Sequence, residues 1–138
     1  FKEISKKEFV FNFDQDSNQK KISKSIEIVY GLRNFIGNAN KFAKNSIFIN
    51  LKSDSEFTEI TIEDDGNGFP RDIISKIGEP YLKSNYSKDK SKEGLGLGLF
   101  IGKTLLEKNF ASVNCRNSKT RSGAEVIIRW KNKELFNI

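Results

Sequence analysis

Between Ser25 and Lys44 the apolar residues Ile28, Leu32, Phe35, Ile36, Ala39 and Ala43 recur at helical spacing and predict one long amphipathic helix. Elsewhere the period is two. EFVFNF (8–13), SIFINLKS (46–53), FTEITIED (57–64), ASVNCRNS (111–118) and GAEVIIRW (123–130) read as strands. Short turns join the second to the third and the fourth to the fifth. DDGNGFP (64–70) carries two glycines and a proline and predicts a turn, with a short helix over 71–78. EPYLKSNYSKDKSKE (79–93) is polar and without period, the profile of a mobile functional loop. GLGLGLFIGKTLLEKN then runs from a glycine-rich loop into a second long helix. The pattern predicts an α/β (α+β) two-layer sandwich, with helices packed on one face of a mixed sheet, as a single domain over 1–138.

Composition narrows the class. A chain of 138 residues with 36% hydrophobic and 30% charged positions suits one soluble core rather than a disordered tail. The absence of Met and the opening FKEISKKEFVFNF lead us to expect a piece of a longer protein. No apolar run approaches the roughly 18 residues that a membrane span needs, so a membrane anchor of the parent is expected outside this piece. The single Cys115 cannot form an internal disulfide, in keeping with a reducing compartment. It reads as a small apolar strand residue, with redox sensing as the alternative. The net charge of +6 suits nucleic acid, a polyphosphate or an acidic partner. The lysines are dispersed and form no basic helix, which argues against nucleic acid. With no histidine, the usual His/Cys zinc clusters, histidine bases and every histidine-containing triad are excluded.

Three constellations carry chemistry. On the first helix, Asn34, Asn38 and Lys41 share a narrow stripe, with Phe42 at its seam with the apolar face. A solvated polar face would explain the stripe, but Asn is a poor helix former and two of them four residues apart suit a ligand. Asp64 ends a strand, and Gly66 and Gly68 after it let backbone approach a ligand closely. In EGLGLGL (93–99), alternate glycines precede a helix, an arrangement suited to phosphate. Gly102, Lys103 and Thr104 follow, but Leu97 stands where a G-x-x-x-x-G-K-[ST] motif needs its first glycine, and Ile101 stands where a G-x-G-x-x-G motif needs its last, so neither P-loop nor Rossmann readings apply.

In order and spacing, N-x3-N-x2-K-F (34–42), D-x-G-x-G (64–68) and G-x-G-L-G-L (94–99) resemble the N, G1 and G2 boxes of the histidine-kinase ATPase domain. That is the Bergerat ATP-binding fold with a mobile ATP lid, shared with gyrase, Hsp90 and MutL. The resemblance covers about residues 26 to 130. IVYGLRNFIGNANKFA, IGEPYLKS and SGAEVIIRW are similar, more narrowly, to the redox-responsive RegB-type sensor kinases.

The resemblance implies ATP and Mg²⁺ as cofactors. Asp64 would accept from the adenine amino group, and Phe42 would pack near the base, with Ile73, Ile77 and Val126 as further wall residues. Asn38 would hold Mg²⁺ through its amide oxygen, consistent with the metal's demand for oxygen ligands. Asn34 would act through the metal's water or the phosphates, and Lys41 would neutralise phosphate charge. Gly94, Leu95, Gly96, Leu97, Gly98 and Leu99 would cradle the phosphates, with residues 79–93 as the lid and Lys83 its first phosphate contact, ahead of Lys88, Lys90 and Lys92. Asn34, where ATP-hydrolysing relatives carry Glu, cannot act as a base and suits transfer to an imidazole rather than to water. Three departures stand out: Gly78 in place of the F-box Phe, a lid cation not fixed by position, and Ala124 where the family often has Thr.

The implied activity is that of the ATP-binding part of a protein histidine kinase. The phosphoacceptor histidine would lie on a dimerisation domain outside this chain, and a response regulator would be the downstream partner. The parent is expected to be a membrane-anchored homodimer with this part in the cytoplasm, and the isolated piece a monomer. The alternatives are a free-standing anti-sigma-factor serine kinase of the same fold and a non-catalytic nucleotide-sensing module.

Overall fold

The computed structural model describes residues 7–13, 26–74 and 90–135. Five strands, β1 (Glu8–Phe13), β2 (Ser46–Ser53), β3 (Phe57–Asp64), β4 (Ser112–Asn117) and β5 (Ala124–Lys131), form one sheet in the order β1-β2-β3-β5-β4. β1 runs parallel to β2, and every other neighbouring pair is antiparallel. The parallel pair needs a crossover, and α1 (Ile26–Phe42) lies in that connection. α2 (Arg71–Ile74) follows β3, α3 (Lys90–Lys108) leads into β4, and α4 (Asn132–Leu135) follows β5.

The two-residue period of the strands explains the layering. Ile49, Ile62, Val126 and Cys115 lie side by side across four strands, as do Ile60, Ile128 and Val113 across three. With Ile47 and Trp130 they form the face that meets Ile28, Phe35 and Ala39 of α1 and Leu99 and Leu106 of α3. The opposite face carries polar and charged residues, with Arg121 stacked 3.6 Å over the Phe48 ring and paired with Glu63. α1 and α3 pack closely and run in opposite directions. A Cβ at Gly31 would fall 2.7 Å from Leu106 Cγ, and one at Gly102 would fall 2.7 Å from Phe35 Cε2.

Two sequence expectations change. The glycine-rich segment is not a loop ahead of a helix. α3 begins at Lys90, so Gly94, Leu95, Gly96, Leu97 and Gly98 lie within it. Lys90, Ser91, Lys92 and Glu93 contain no helix breaker, and the glycines cost the helix roughly 1 kcal/mol each without forbidding it. Backbone N–H groups from Gly94 onward therefore belong to the i→i−4 ladder and are not presented as a phosphate cradle. The expected lid is divided: residues 90–93 are helical, and 79–89 lie outside the described residues, as do Gly78 and Tyr81.

The short α4 escaped the sequence reading because four residues show no period. It is fixed by side-chain bonds: Thr58 Oγ1 donates to Asn132 Oδ1 at 2.7 Å, and Asn132 Nδ2 donates to the Asp54 carbonyl at 2.7 Å. Among the described residues, no helix is long and apolar enough to cross a membrane.

Candidate functional site

A cavity of about 180 Å³ opens between α1, Leu99 of α3, and the ends of β3 and β5. Phe35, Asn38, Ala39 and Phe42 line it from α1, Leu99 from α3, and Ile62, Asp64, Ala124 and Val126 from the sheet. Asn67, Gly68, Phe69 and Pro70 close the remaining side. Most of this lining is apolar, and an apolar cavity of about 150 Å³ holds a benzene ring. The space suits one flat heterocycle, with polar groups at two points of its rim.

Asp64 is the first of these. It is 3% exposed, and its Oδ1 accepts from the N–H of Gly66 at 2.8 Å and of Ala124 at 3.3 Å. Burial pushes its carboxyl above the ordinary range, those two N–H donors pull it down, and the neighbouring Asp65 and Glu63 push it up again. The net direction is upward. A carboxylate held this way has Oδ2 left for a donor, and an exocyclic amine on a flat base is such a donor.

Asn38 is the second. Its Nδ2 is buried and, among the described residues, is the one buried side-chain polar atom without a hydrogen-bond partner. Buried polar groups are nearly always paired, so a lone amide on a cavity wall marks a place for an acceptor. The amide oxygen beside it is the type of ligand that Mg²⁺ takes. No group of three or more His, Cys, Asp or Glu able to hold a metal exists among the described residues. A metal here would rest on Asn38, phosphate and water.

The other residues of the stripe stand farther out. Asn34 Nδ2 donates to the Tyr30 carbonyl at 2.8 Å, which pins its amide against its own helix. Lys41 is exposed, with Nζ 5.3 Å from the Phe42 ring centroid. Neither lines the cavity.

The turn after β3 is held by its own side chains. Asp65 Oδ1 accepts from the backbone N–H of Lys44, Asn45 and Ser46 at 2.9, 3.1 and 3.2 Å, so the second carboxylate of DDGNG caps the α1–β2 junction. Partial desolvation pushes the Asp65 carboxyl up, but those donors outweigh it and hold it below the ordinary range. Gly68 has φ 81°, a left-handed conformation that glycine adopts without strain.

The structure thus gathers Asn38, Phe42, Asp64, Gly68, Leu99 and Val126 around one cavity. Gly66 supports Asp64 from behind, and Gly98 backs onto Asn38, where a Cβ would lie 2.9 Å from Nδ2. Ile73 is placed elsewhere: it is 1% exposed in the core and does not line the cavity, because α2, which starts at Arg71 with the Pro70 carbonyl accepting from the Ile73 and Ile74 N–H groups, turns it inward. Ile77, Lys83 and Lys88 lie outside the described residues. The sequence reading missed Phe35, Ala39 and Ile62 as lining, having assigned them to the core, which the cavity enters. It also missed Asn67, Phe69 and Pro70, whose only signal was their place in the glycine turn. Cys115 is separate from the site. Burial pushes its thiol up to about 12, which favours the protonated form at neutral pH.

The chain matches the family described as histidine kinase-, DNA gyrase B- and HSP90-like ATPase over residues 23–134. It is 38% identical over 108 residues to the sensor histidine kinase RegB of Cereibacter sphaeroides, an alignment covering 75% of this chain and 23% of that protein. The chain therefore spans less than a quarter of the length of the curated relatives it matches. Among solved structures, the mycobacterial sensor histidine kinase MprB superposes with a TM-score of 0.68 over 90% of this chain and 82% of that one, at 21% identity. Full-length ShkA in complex with AMPPNP superposes with a TM-score of 0.67 over 89% of this chain and 25% of that one, at 23% identity. These likenesses show a shared fold, and the family match together with the RegB identity decides membership: the chain belongs to the histidine kinase-, DNA gyrase B- and HSP90-like ATPase family.

Proposed function

We propose that this chain is the ATP-binding catalytic part of a two-component sensor histidine kinase. It would hold Mg-ATP for transfer of the γ-phosphate to a histidine on a separate dimerisation domain, and from there to a response regulator. The observation that carries the reading is the pairing of a buried carboxylate, Asp64, with an unpartnered buried amide, Asn38, on two walls of one base-sized cavity.

In this reading Asp64 accepts from the amino group of adenine, and Phe42, Val126 and Leu99 enclose the ring. Asn38 turns its amide oxygen to Mg²⁺, which supplies charge neutralisation at the phosphates when bound. Lys41 and Asn34, beyond the cavity, face the phosphate end. The glycines of α3 have a role that a rigid helix would deny them. They make its first two turns the weakest part of the helix, so that unwinding through Leu97 frees backbone N–H groups for phosphate. With residues 79–93 these turns form the lid, and Lys83 is its first cation. Catalysis rests on positioning and charge neutralisation, since an Asn at position 34 cannot take a proton. The 1–138 region acts as one domain and is monomeric alone. Its parent would be a homodimer anchored in the membrane, with this part in the cytoplasm, and related in signalling chemistry to RegB.

Calorimetric titration with AMPPNP, with and without Mg²⁺, tests the reading. Binding that Asp64→Asn weakens about 30- to 100-fold, and that Asn38→Ala makes indifferent to Mg²⁺, is the expected result. A folded wild-type chain that binds neither AMPPNP nor ADP would overturn it.

A further inference from the structure

The wall formed by residues 67–70 is a turn with no strand or helix of its own, yet it closes one side of the cavity. Its anchor comes from far along the chain. Asn117, the last residue of β4, accepts from the Phe69 N–H at 2.6 Å through Oδ1 and donates to the Phe69 carbonyl at 3.3 Å through Nδ2. One side-chain amide thereby copies the paired bonds of an antiparallel bridge and adds the turn to the end of the sheet. Gly68 is fitted to the same amide: a Cβ there would lie 2.7 Å from Asn117 Oδ1. Phe69, 6% exposed, is carried into the core by this contact, while Asn117 itself remains exposed.

We propose that Asn117 is a positioning residue for the base-binding side of the cavity, acting through Phe69 without touching the ligand. The inference rests on the nucleotide reading above. It assigns the effect to one end of the ligand: the strap sits at the turn beside Asp64, whereas Asn38 and the α3 glycines lie on the opposite, helical side.

The test is titration of wild type, Asn117→Ala and Asn117→Asp with AMP, ADP and AMPPNP, beside thermal unfolding of each ligand-free protein. Losing two hydrogen bonds that fix the wall is expected to weaken all three ligands by the same factor, about 10-fold, with the Mg²⁺ enhancement of AMPPNP unchanged. Asn117→Asp keeps the acceptor for the Phe69 N–H and should fall between the two, which serves if the alanine variant does not fold. Wild-type affinity in both variants, with only a lower Tm, would reduce Asn117 to a structural role and overturn the proposal. A loss that grows from AMP to AMPPNP would also overturn it, by placing the effect at the phosphates. Wild-type protein that binds none of the three would instead remove the nucleotide reading beneath it, a result distinguishable from equal binding by all variants.

Discussion

Gly123 and Asp64 occupy adjoining space so closely that a Cβ at position 123 would fall 2.0 Å from the Asp64 carbonyl oxygen and 2.4 Å from its Oδ1. The obstructing atoms are backbone and a tethered carboxylate, neither able to swing aside as a long side chain can. The β4–β5 turn is itself fixed, because the Ser118 N–H donates to the Gly123 carbonyl at 2.7 Å and Ser118 Oγ donates to Glu63. Gly123→Ala should therefore destabilise the chain by about 1–3 kcal/mol, the range for an overpacked site. It should also weaken ADP binding, because Ala124, which donates to Asp64, is the next residue. Thermal unfolding and titration check this, and an unchanged Tm would mean that the turn has freedom the structure does not show.

In the proposed reading, Asp64 trades stability for binding. Burial raises its carboxyl pKa above the ordinary value. The protonated form is thus the one the fold favours. The stability contribution of such a group is fully present below the ordinary carboxylate pKa and is lost as pH rises through the raised, folded-state pKa. At neutral pH the ionised carboxylate is a burden that Asp64→Asn removes, and the amide oxygen can still accept from Gly66 and Ala124. The variant is expected to unfold at or above the wild-type temperature while binding ADP about 30- to 100-fold more weakly, the loss of a charge-assisted hydrogen bond. Wild-type affinity should also decline with falling pH before an ordinary Asp would titrate, and Asp64→Asn should lack that slope. A variant that unfolds well below wild type would show that the carboxylate supports the fold.

How much of this was legible in the residues depends on which interaction settled each element. The strands over 46–64 follow from alternation alone, and α1 from its apolar sector, because in both the burial pattern is written along a contiguous run. The start of α3 was not legible: Lys90 to Glu93 suit a helix or a polar loop equally, and the alternate glycines favour the loop without imposing it. Asp64 was legible as a strand-end carboxylate. Its neighbour Asp65 was not, since its work is to cap N–H groups twenty residues away. Phe35 and Ala39 show the remaining difficulty. Helical period marks them as buried, but it cannot separate a residue facing packed core from one facing a cavity within it.

Phe110 offers a check at the far end of α3. It has φ 71° and is 60% exposed, and it lies among the residues whose N–H groups close the helix end: its own N–H donates to the Glu107 carbonyl at 3.1 Å and that of Ala111 to the Leu106 carbonyl at 3.0 Å. That is the left-handed cap position that helices commonly fill with glycine. A bulky residue there is strained, and its side chain recovers little by burial. Phe110→Gly is expected to stabilise the chain by about 0.5–1 kcal/mol after the greater chain entropy of glycine is set against the relieved strain. A lower Tm would reveal a packing role for the ring.

Gly98 and Gly102 lie one turn apart on α3 and should respond oppositely to the same substitution. Alanine at either gains about 0.8–1 kcal/mol of helix propensity. At Gly102 the new methyl meets the Phe35 ring, with atoms at 2.7 and 3.0 Å, and Phe35 is 1% exposed, so nothing can yield without opening the core. Gly102→Ala should be destabilising by about 1–3 kcal/mol, outweighing the propensity gain. At Gly98 the methyl meets the tip of one side chain, Asn38 Nδ2 at 2.9 Å and Oδ1 at 3.1 Å, which can rotate away. Gly98→Ala should leave the Tm near wild type or slightly above it. The rotation moves the amide oxygen proposed to face Mg²⁺, so AMPPNP affinity should lose most of its Mg²⁺ dependence while metal-free binding changes little. Thermal unfolding of both variants, with AMPPNP titrations in Mg²⁺ and in EDTA, separates the two. If Gly98→Ala retained the full Mg²⁺ enhancement, the metal would have to be held by something other than Asn38 in this orientation.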